Sequence, residues 1–141
     1  MPNVDSMWTT LNAWVRSNHL LHDAIITKLA FCDVDNEVKI SPLDVVLKIE
    51  LKIPRDASGD YSTALLFLRG VSMMSIGVVF SSCSLYIKHA DVSIVSLPNF
   101  CNREFLRLKI FGEQYSDRER KWIEKQIIDV AFLSYDCTLQ G

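Results

Sequence analysis

The sequence predicts an α+β fold, a single domain over residues 1–141 that is built mostly from antiparallel β-strands. Apolar residues recur at every second position in most segments between residues 24 and 139, and helical periodicity is confined to regions near the two ends of the chain. Strand patterns also follow one another without intervening helices, which argues against a parallel sheet of βαβ units. About six strands are expected in a curved sheet that forms a sandwich or an open barrel.

The N-terminal segment is predicted to be an amphipathic helix. Its apolar residues recur at the spacing of one helical face, while polar residues occupy the other positions. Asp5 or Ser6 would cap its start, and it would end near residues 17–18. The apolar residues on the predicted face are Met7, Leu11, Trp14 and Val15.

Three strands are predicted in the next part of the chain. The first covers residues 24–32, and the second and clearest covers residues 45–53, where one face is aliphatic and the other charged. Turn-forming residues 55–60 would connect it as a long hairpin to a strand that starts near Ser62. That third strand is apolar on both faces, so a central position is expected, and Gly70 would mark a bulge or a close approach.

The remaining strands are predicted in the C-terminal half. Residues 85–97 would form one strand, or a hairpin that turns at residues 89–91. Residues 103–111 alternate charged and apolar side chains, which predicts a half-exposed strand that Gly112 stops. The apolar tail at residues 127–139 would be the last strand, paired inside the sheet.

A second, short helix is predicted before the last strand. Ser116 and Glu119 fit the capping-box pattern, in which each side chain satisfies a free backbone N–H of the other residue. The helix would cover residues 117–126, with Trp122 and Ile123 facing the core.

Charge and composition argue against several classes of function. A formal net charge of −2 gives no electrostatic reason to bind a polyanion, so neither nucleic acid nor an anionic membrane is an expected partner. Residues 71–80, the longest apolar stretch, are too few to span a bilayer. No basic segment precedes an apolar run in residues 1–20, so a cytoplasmic protein is expected.

Four widely spaced cysteines are expected to be reduced, mostly buried thiols: Cys32, Cys83, Cys101 and Cys137.

One group of residues has a composition that can support chemistry: His19, His22 and Asp23, at the joint between the first helix and the first strand. The group could share a divalent metal if these side chains stayed on one helical face, but the helix is predicted to end near residue 18, and no other His/Cys or His/Glu pair nearby supplies the remaining ligands. In the structural alternative, the His22 ring bonds to backbone and Asp23 orients the turn. A third possibility is contact with a partner.

Other signatures of catalysis or cofactor binding are absent from the sequence. It contains no G-x-S-x-G elbow, and neither of the glycine-rich patterns that bind nucleotide phosphates occurs. We therefore expect no catalytic residue, no cofactor and no bound metal.

A family resemblance rests on three features in residues 21–94. Leu21, His22, Asp23 and Ala24 lead into a strand, an alternating strand follows, and residues 66–71 then read Leu-Phe-Leu-Arg-Gly-Val. This succession resembles the immunity proteins of bacterial polymorphic toxin systems, in particular the immunity protein family numbered fifty. The resemblance implies stoichiometric binding of a cognate toxin without catalysis or a cofactor, with His22 and Asp23 as the shared motif.

Two alternatives from other classes remain open. A sheet with half-apolar strands and a free edge could form a homodimer by adding strands across a two-fold axis, which would make the chain a self-associating structural module. An enzyme or small-ligand protein could instead use His19, His22 and Asp23 as the polar groups of a concave site.

Overall fold

The computed structural model describes residues 3–32, 45–55, 59–77 and 85–140. Within these residues the chain forms one α-helix and an eight-stranded antiparallel sheet that is not closed into a barrel. The elements are α1 (Val4–Ser17), β1 (Ile25–Cys32), β2 (Val46–Pro54), β3 (Tyr61–Arg69), β4 (Met73–Ile76), β5 (Leu85–Leu97), β6 (Arg103–Ser116), β7 (Lys121–Phe132) and β8 (Ser134–Gln140). The strand order across the sheet is β4, β7, β6, β5, β1, β2, β3, β8. The predicted α+β class with a mostly antiparallel sheet is confirmed, with eight strands in place of about six.

Helix α1 packs on the sheet through its predicted apolar face. The indole Nε1 of Trp8 donates a hydrogen bond to the carbonyl of Val92 in β5 (2.9 Å). Asn3, and neither Asp5 nor Ser6, caps the helix, because Asn3 Oδ1 accepts a hydrogen bond from the Ser6 N–H (2.7 Å). Neither α1 nor any other helix in the described part of the chain has the length and apolarity to cross a membrane. The fully buried residues of α1 are Leu11 and Val15.

The sheet consists of two four-stranded halves around a shared core. One half contains β1, β2, β3 and β8, and the other contains β4, β5, β6 and β7. Among the described residues, strands β1 and β5 join the halves through two residue pairs, Ile25 with Tyr86 and Ile26 with Leu85. Buried residues of both halves and of α1 form one cluster, so the helix and the two halves together enclose the core.

The halves meet again where β3 passes into β4 and β7 passes into β8. Here the Leu133 N–H donates to the Arg69 carbonyl and the Ser72 N–H donates to the Ala131 carbonyl, each at 2.9 Å. Gly70 lies at this corner with a φ of +68°, and a Cβ on it would lie 2.9 Å from Leu133 Cδ1. Gly70 is therefore the close-approach point that the sequence predicts.

The C-terminal strands match one predicted alternative and differ from the prediction in two ways. Strand β5 is continuous, with a bulge at Lys88, as the one-strand alternative predicts and the hairpin alternative does not. Gly112 does not stop β6, which continues to Ser116, because the missing side chain of Gly112 leaves room for Ile127 of β7. The tail is divided at Leu133, so that β7 lies inside the sheet whereas β8 forms its end. Strand β3 consequently lies next to the end strand and away from the centre.

The predicted helix over residues 117–126 is wrong. Residues 117–120 form a turn, and β7 starts immediately after them. The Ser116 hydroxyl does accept a hydrogen bond from the Glu119 N–H (3.2 Å), as it would in a capping box. Arg120 then has a φ of +53°, so the chain reverses into a four-residue hairpin loop and does not continue as a helix.

Candidate functional site

The corner formed by His22 and Asp23 lies between α1 and β1 and docks onto β5. The Asp23 N–H donates to the Ile87 carbonyl (2.9 Å), and the Ile87 N–H donates to the Ala24 carbonyl (2.8 Å). The His22 Nδ1–H donates to the Lys88 carbonyl (2.9 Å), while His22 Nε2 lies 3.6 Å from Asp23 Oδ2. Both side chains are largely exposed, so the corner combines backbone contacts to β5 with a polar outer surface.

The bond from His22 ends at an irregularity of β5. The pairing of β5 with β6 shifts between Ile87 and His89, which makes Lys88 the extra residue of a β-bulge. An extra residue is not paired in the ladder, so its carbonyl needs a donor from elsewhere. The His22 ring is such a donor, and it connects the helix-to-strand corner to the bulge.

The backbone of the corner has an unusual conformation. His19, Leu20 and Leu21 have φ values of 55°, 56° and 60°, and Asp23 has a φ of 65°. The left-handed conformation costs roughly 1–2 kcal/mol for each L-residue that carries a Cβ. The side chain of Leu21 is buried in the core, and its N–H donates to the Asn18 carbonyl (2.9 Å). These contacts hold the strained turn in place.

The structure does not bring a metal-binding set together at this corner. Among the described residues, no three His, Cys, Asp or Glu side chains converge as ligands for an ion. His19, His22 and Asp23 therefore do not form the three-ligand arrangement on which a metal-dependent activity at this corner would depend.

A two-stranded arm extends the sheet beyond Gly112. The arm comprises residues 113–124, namely the end of β6, the hairpin loop and the start of β7. In the described part of the chain, β6 and β7 pair only with each other over these residues. All side chains at residues 121–126 are exposed, and Trp122 retains 64% of its accessible surface. The prediction that Trp122 and Ile123 face the core is therefore wrong.

Charged and aromatic contacts brace the base of the arm. Glu113 and Glu124 are directly opposite each other, an arrangement that like-charge repulsion disfavours. Lys88 Nζ lies 3.3 Å from Glu113 Oε1 and 3.8 Å from Glu124 Oε2, and His89 Nδ1 lies 3.4 Å from Glu124 Oε1. The His89 ring stacks on Phe111 with a centroid distance of 4.6 Å. Side chains of β5 therefore hold the base of the arm, in addition to the β6–β7 ladder that holds the two strands of the arm together.

Lys88 links the corner to the arm, although no sequence pattern indicates a role for this residue. Its carbonyl accepts the bond from His22, and its ammonium group contacts both glutamates of the arm. Only the bulge places it between these two features, and an alternating apolar pattern gives no indication of a bulge.

A groove of about 730 Å³ lies between α1 and the end strand β8. Met7 and Trp14 line it on the helix side, and Tyr135, Cys137 and Leu139 line it on the strand side. Its size and its largely apolar walls both fall within the range found for ligand-binding clefts.

The Cys137 thiol does not have the character of a nucleophile. Burial raises the pKa of the Cys137 thiol to about 11, so the group is neutral at physiological pH. Burial also raises the pKa of Tyr135. Cys101 is exposed, contrary to the expectation of mostly buried thiols. The Cys32 side chain and Cys83 lie outside the described residues.

The outer face of β6 and β7 carries a bidentate ion pair. Arg107 Nε and a second guanidinium nitrogen lie 2.8 Å and 2.6 Å from the two carboxylate oxygens of Asp129. The hydrogen bonds from Arg107 hold the pKa of Asp129 below its usual value, against the opposing effect of burial. The geometry is that of a satisfied structural pair, since each charge faces its counterion.

Comparison with known proteins assigns no family to the chain. No protein-family model matches it, and neither a curated protein nor a solved structure gives a significant match. The function is therefore inferred from the corner, the arm and the groove.

Proposed function

We propose that this chain is a non-catalytic, cytoplasmic protein-binding domain that acts as an immunity protein, neutralising a cognate toxin by stoichiometric binding. The observation that carries the proposal is the arm, residues 113–124, which presents exposed apolar and charged side chains beyond the core. The sequence resemblance through His22 and Asp23 supports the same class of function.

The arm has the composition of a protein-binding element. Tryptophan is among the residue types most enriched at positions that dominate binding energy, and Trp122 is exposed. Ile123 is exposed on the opposite face of the same strand. Charged side chains at Lys121 and Glu124 flank this apolar pair and supply a polar rim.

The contacts at the base of the arm lower the conformational entropy that is lost when a partner binds. An isolated two-stranded hairpin is only marginally stable in water. Contacts of Lys88 and His89 with the two arm glutamates restrict the hairpin before any partner arrives. A partner therefore pays less conformational entropy to fix the arm than it would for a free loop.

Co-expression with the product of the neighbouring gene, followed by size-exclusion chromatography and titration calorimetry, tests the proposal. A one-to-one complex is expected, and Trp122→Ala should weaken it by at least about 30-fold, the equivalent of a 2 kcal/mol hot spot. Phe31→Ala is the matched control, because Phe31 is an aromatic residue of β1 that is 55% exposed. It should leave the affinity unchanged.

Two outcomes would contradict this function. The first is that the neighbouring product forms no complex with the folded wild-type chain. The second is that Trp122→Ala and Phe31→Ala have the same effect, which would place the interface away from the arm.

A further inference from the structure

Strand β8 ends the sheet without the features that usually prevent a sheet edge from pairing. It pairs with β3 over seven residues without a register shift and, in the described part of the chain, with no other strand. Natural edge strands are commonly short or bulged, or carry lysine or proline. β8 contains neither residue type, whereas β4, at the other end of the strand order, has only four residues. The backbone N–H and C=O groups along β8 are therefore suited to bind a further strand.

The side chains of β8 divide into an apolar and a polar face. Tyr135, Cys137 and Leu139 line the groove beside α1 and alternate with polar residues. Tyr135 and Cys137 pack against the core cluster. Leu139, by contrast, is 57% exposed. The apolar face is thus covered at the start of the strand and uncovered near its end.

We infer that β8 binds β8 of a second copy of this chain, antiparallel and about a two-fold axis at Cys137. In this register Leu139 of each copy lies opposite Tyr135 of the other, and the two Cys137 residues face each other. The exposed Leu139 then enters the groove of the second copy beside Met7 and Trp14. A two-fold interface requires a surface that is complementary to itself. β8 meets this requirement because its apolar residues are arranged symmetrically about Cys137.

The charges along β8 favour an identical strand as the partner. Asp136 is the one charged residue in the sequence of β8, and Arg69 Nε lies 2.7 Å from its Oδ2. The two-fold register places Asp136 opposite Thr138 of the second copy, so no carboxylate directly opposes another. The edge of β8 therefore carries no unpaired charge where the two copies meet. An identical edge complements it better than a strongly charged segment would.

Multi-angle light scattering across a wide concentration range tests the inference. The wild-type chain should approach twice its mass of 16.1 kDa. Leu139→Lys should raise the dimer dissociation constant at least about tenfold, because each dimer loses two buried apolar side chains. Ile76→Lys is the matched control, since Ile76 is an aliphatic residue on the other end strand, β4, and is 40% exposed. Circular dichroism verifies that both variants are folded.

Oxidative cross-linking tests the register. Opposite residues of an antiparallel pair have Cα atoms about 4.5–5.5 Å apart, within disulfide range. Copper-phenanthroline at mildly alkaline pH should therefore yield a covalent dimer of the wild type and of Cys101→Ser, and none of Cys137→Ser. A wild-type monomer at every concentration would overturn the inference. So would a dimer that Ile76→Lys weakens as much as Leu139→Lys does, or a cross-link that persists in Cys137→Ser.

This inference is independent of the toxin-binding function, because it depends on β8 and not on the arm. Trp122→Ala should leave the dimer intact, and Leu139→Lys should leave toxin binding through the arm intact. Failure of either proposal can therefore be recognised separately.

Discussion

Replacing Gly112 with alanine would place a methyl group where Ile127 already lies. The new Cβ would overlap Ile127 Cδ1, and it would lie 3.1 Å from Ile127 Cγ1 and 3.0 Å from the Tyr86 carbonyl oxygen. Ile127 is buried and cannot rotate into solvent, and the Tyr86 carbonyl belongs to the backbone of β5. Relief therefore requires a shift of strands β5, β6 or β7.

Overpacking of this kind typically costs about 1–3 kcal/mol, and the backbone contact favours the upper part of that range. A loss of about 2 kcal/mol lowers the urea midpoint by about 1 M when the m-value is about 2 kcal/mol/M. Equilibrium unfolding in urea, followed by tryptophan fluorescence, measures the change.

A double-mutant cycle identifies the cause. Ile127→Val removes Cδ1 and should cost about 0.5–1.5 kcal/mol alone. In that background Gly112→Ala should cost about 1 kcal/mol less than in the wild type, because the closest contact is gone. Strict additivity, or a Gly112→Ala chain within about 0.5 kcal/mol of the wild type, would refute the proposed close packing of β6 against β7.

Four further changes test other parts of the structure. Arg107→Met should cost about 1–3 kcal/mol in urea unfolding at neutral pH, because the Asp129 carboxylate loses both hydrogen bonds and keeps only the nearby charge of Lys109. The pKa of Asp129 is lowered in the folded state, so the ion pair stabilises the fold above about pH 4. This contribution is lost as the pH falls through the folded pKa. Asp129→Asn should therefore make the free energy of unfolding less dependent on pH in the acid range. His22→Ala should cost about 1 kcal/mol through the lost bond to Lys88, and equal stability to the wild type would argue against that bond. Leu20→Gly should raise the melting temperature, since glycine adopts the left-handed conformation without steric cost, and a lower value would contradict the strained turn.

Local sequence patterns were sufficient to predict much of the fold. The alternation in residues 45–53 identifies β2, because one face of that strand meets the core and the other meets water. The helical spacing that includes Leu11 and Val15 identifies α1 for the corresponding reason. Glycine inside a strand pattern predicts a bulge or a close approach at Gly70, and the structure shows the close approach.

The features that were missed depend on contacts between distant segments. Ser116 accepts the same hydrogen bond in a capping box and in the observed hairpin loop, so only the pairing of β6 with β7 decides between helix and strand. The predicted helix over residues 117–126 turns Trp122 toward the core, yet the two-stranded arm has no layer above it in the described structure to bury this side chain. The role of Lys88 depends on a bulge in β5 and on residues from two other elements.

Strand β3 leads into β4 at the same corner where β7 leads into β8. This arrangement affects how the chain unfolds. Strands β4, β5, β6 and β7 follow one another in the chain, and they are inserted between β3 and β8 of the other half. No single cut in the chain therefore separates the sheet into two intact halves. The half that contains β1, β2 and β3 obtains its end strand, β8, only after the chain has passed through the other half, so we expect the loss of structure in the two halves to be coupled in a single cooperative transition.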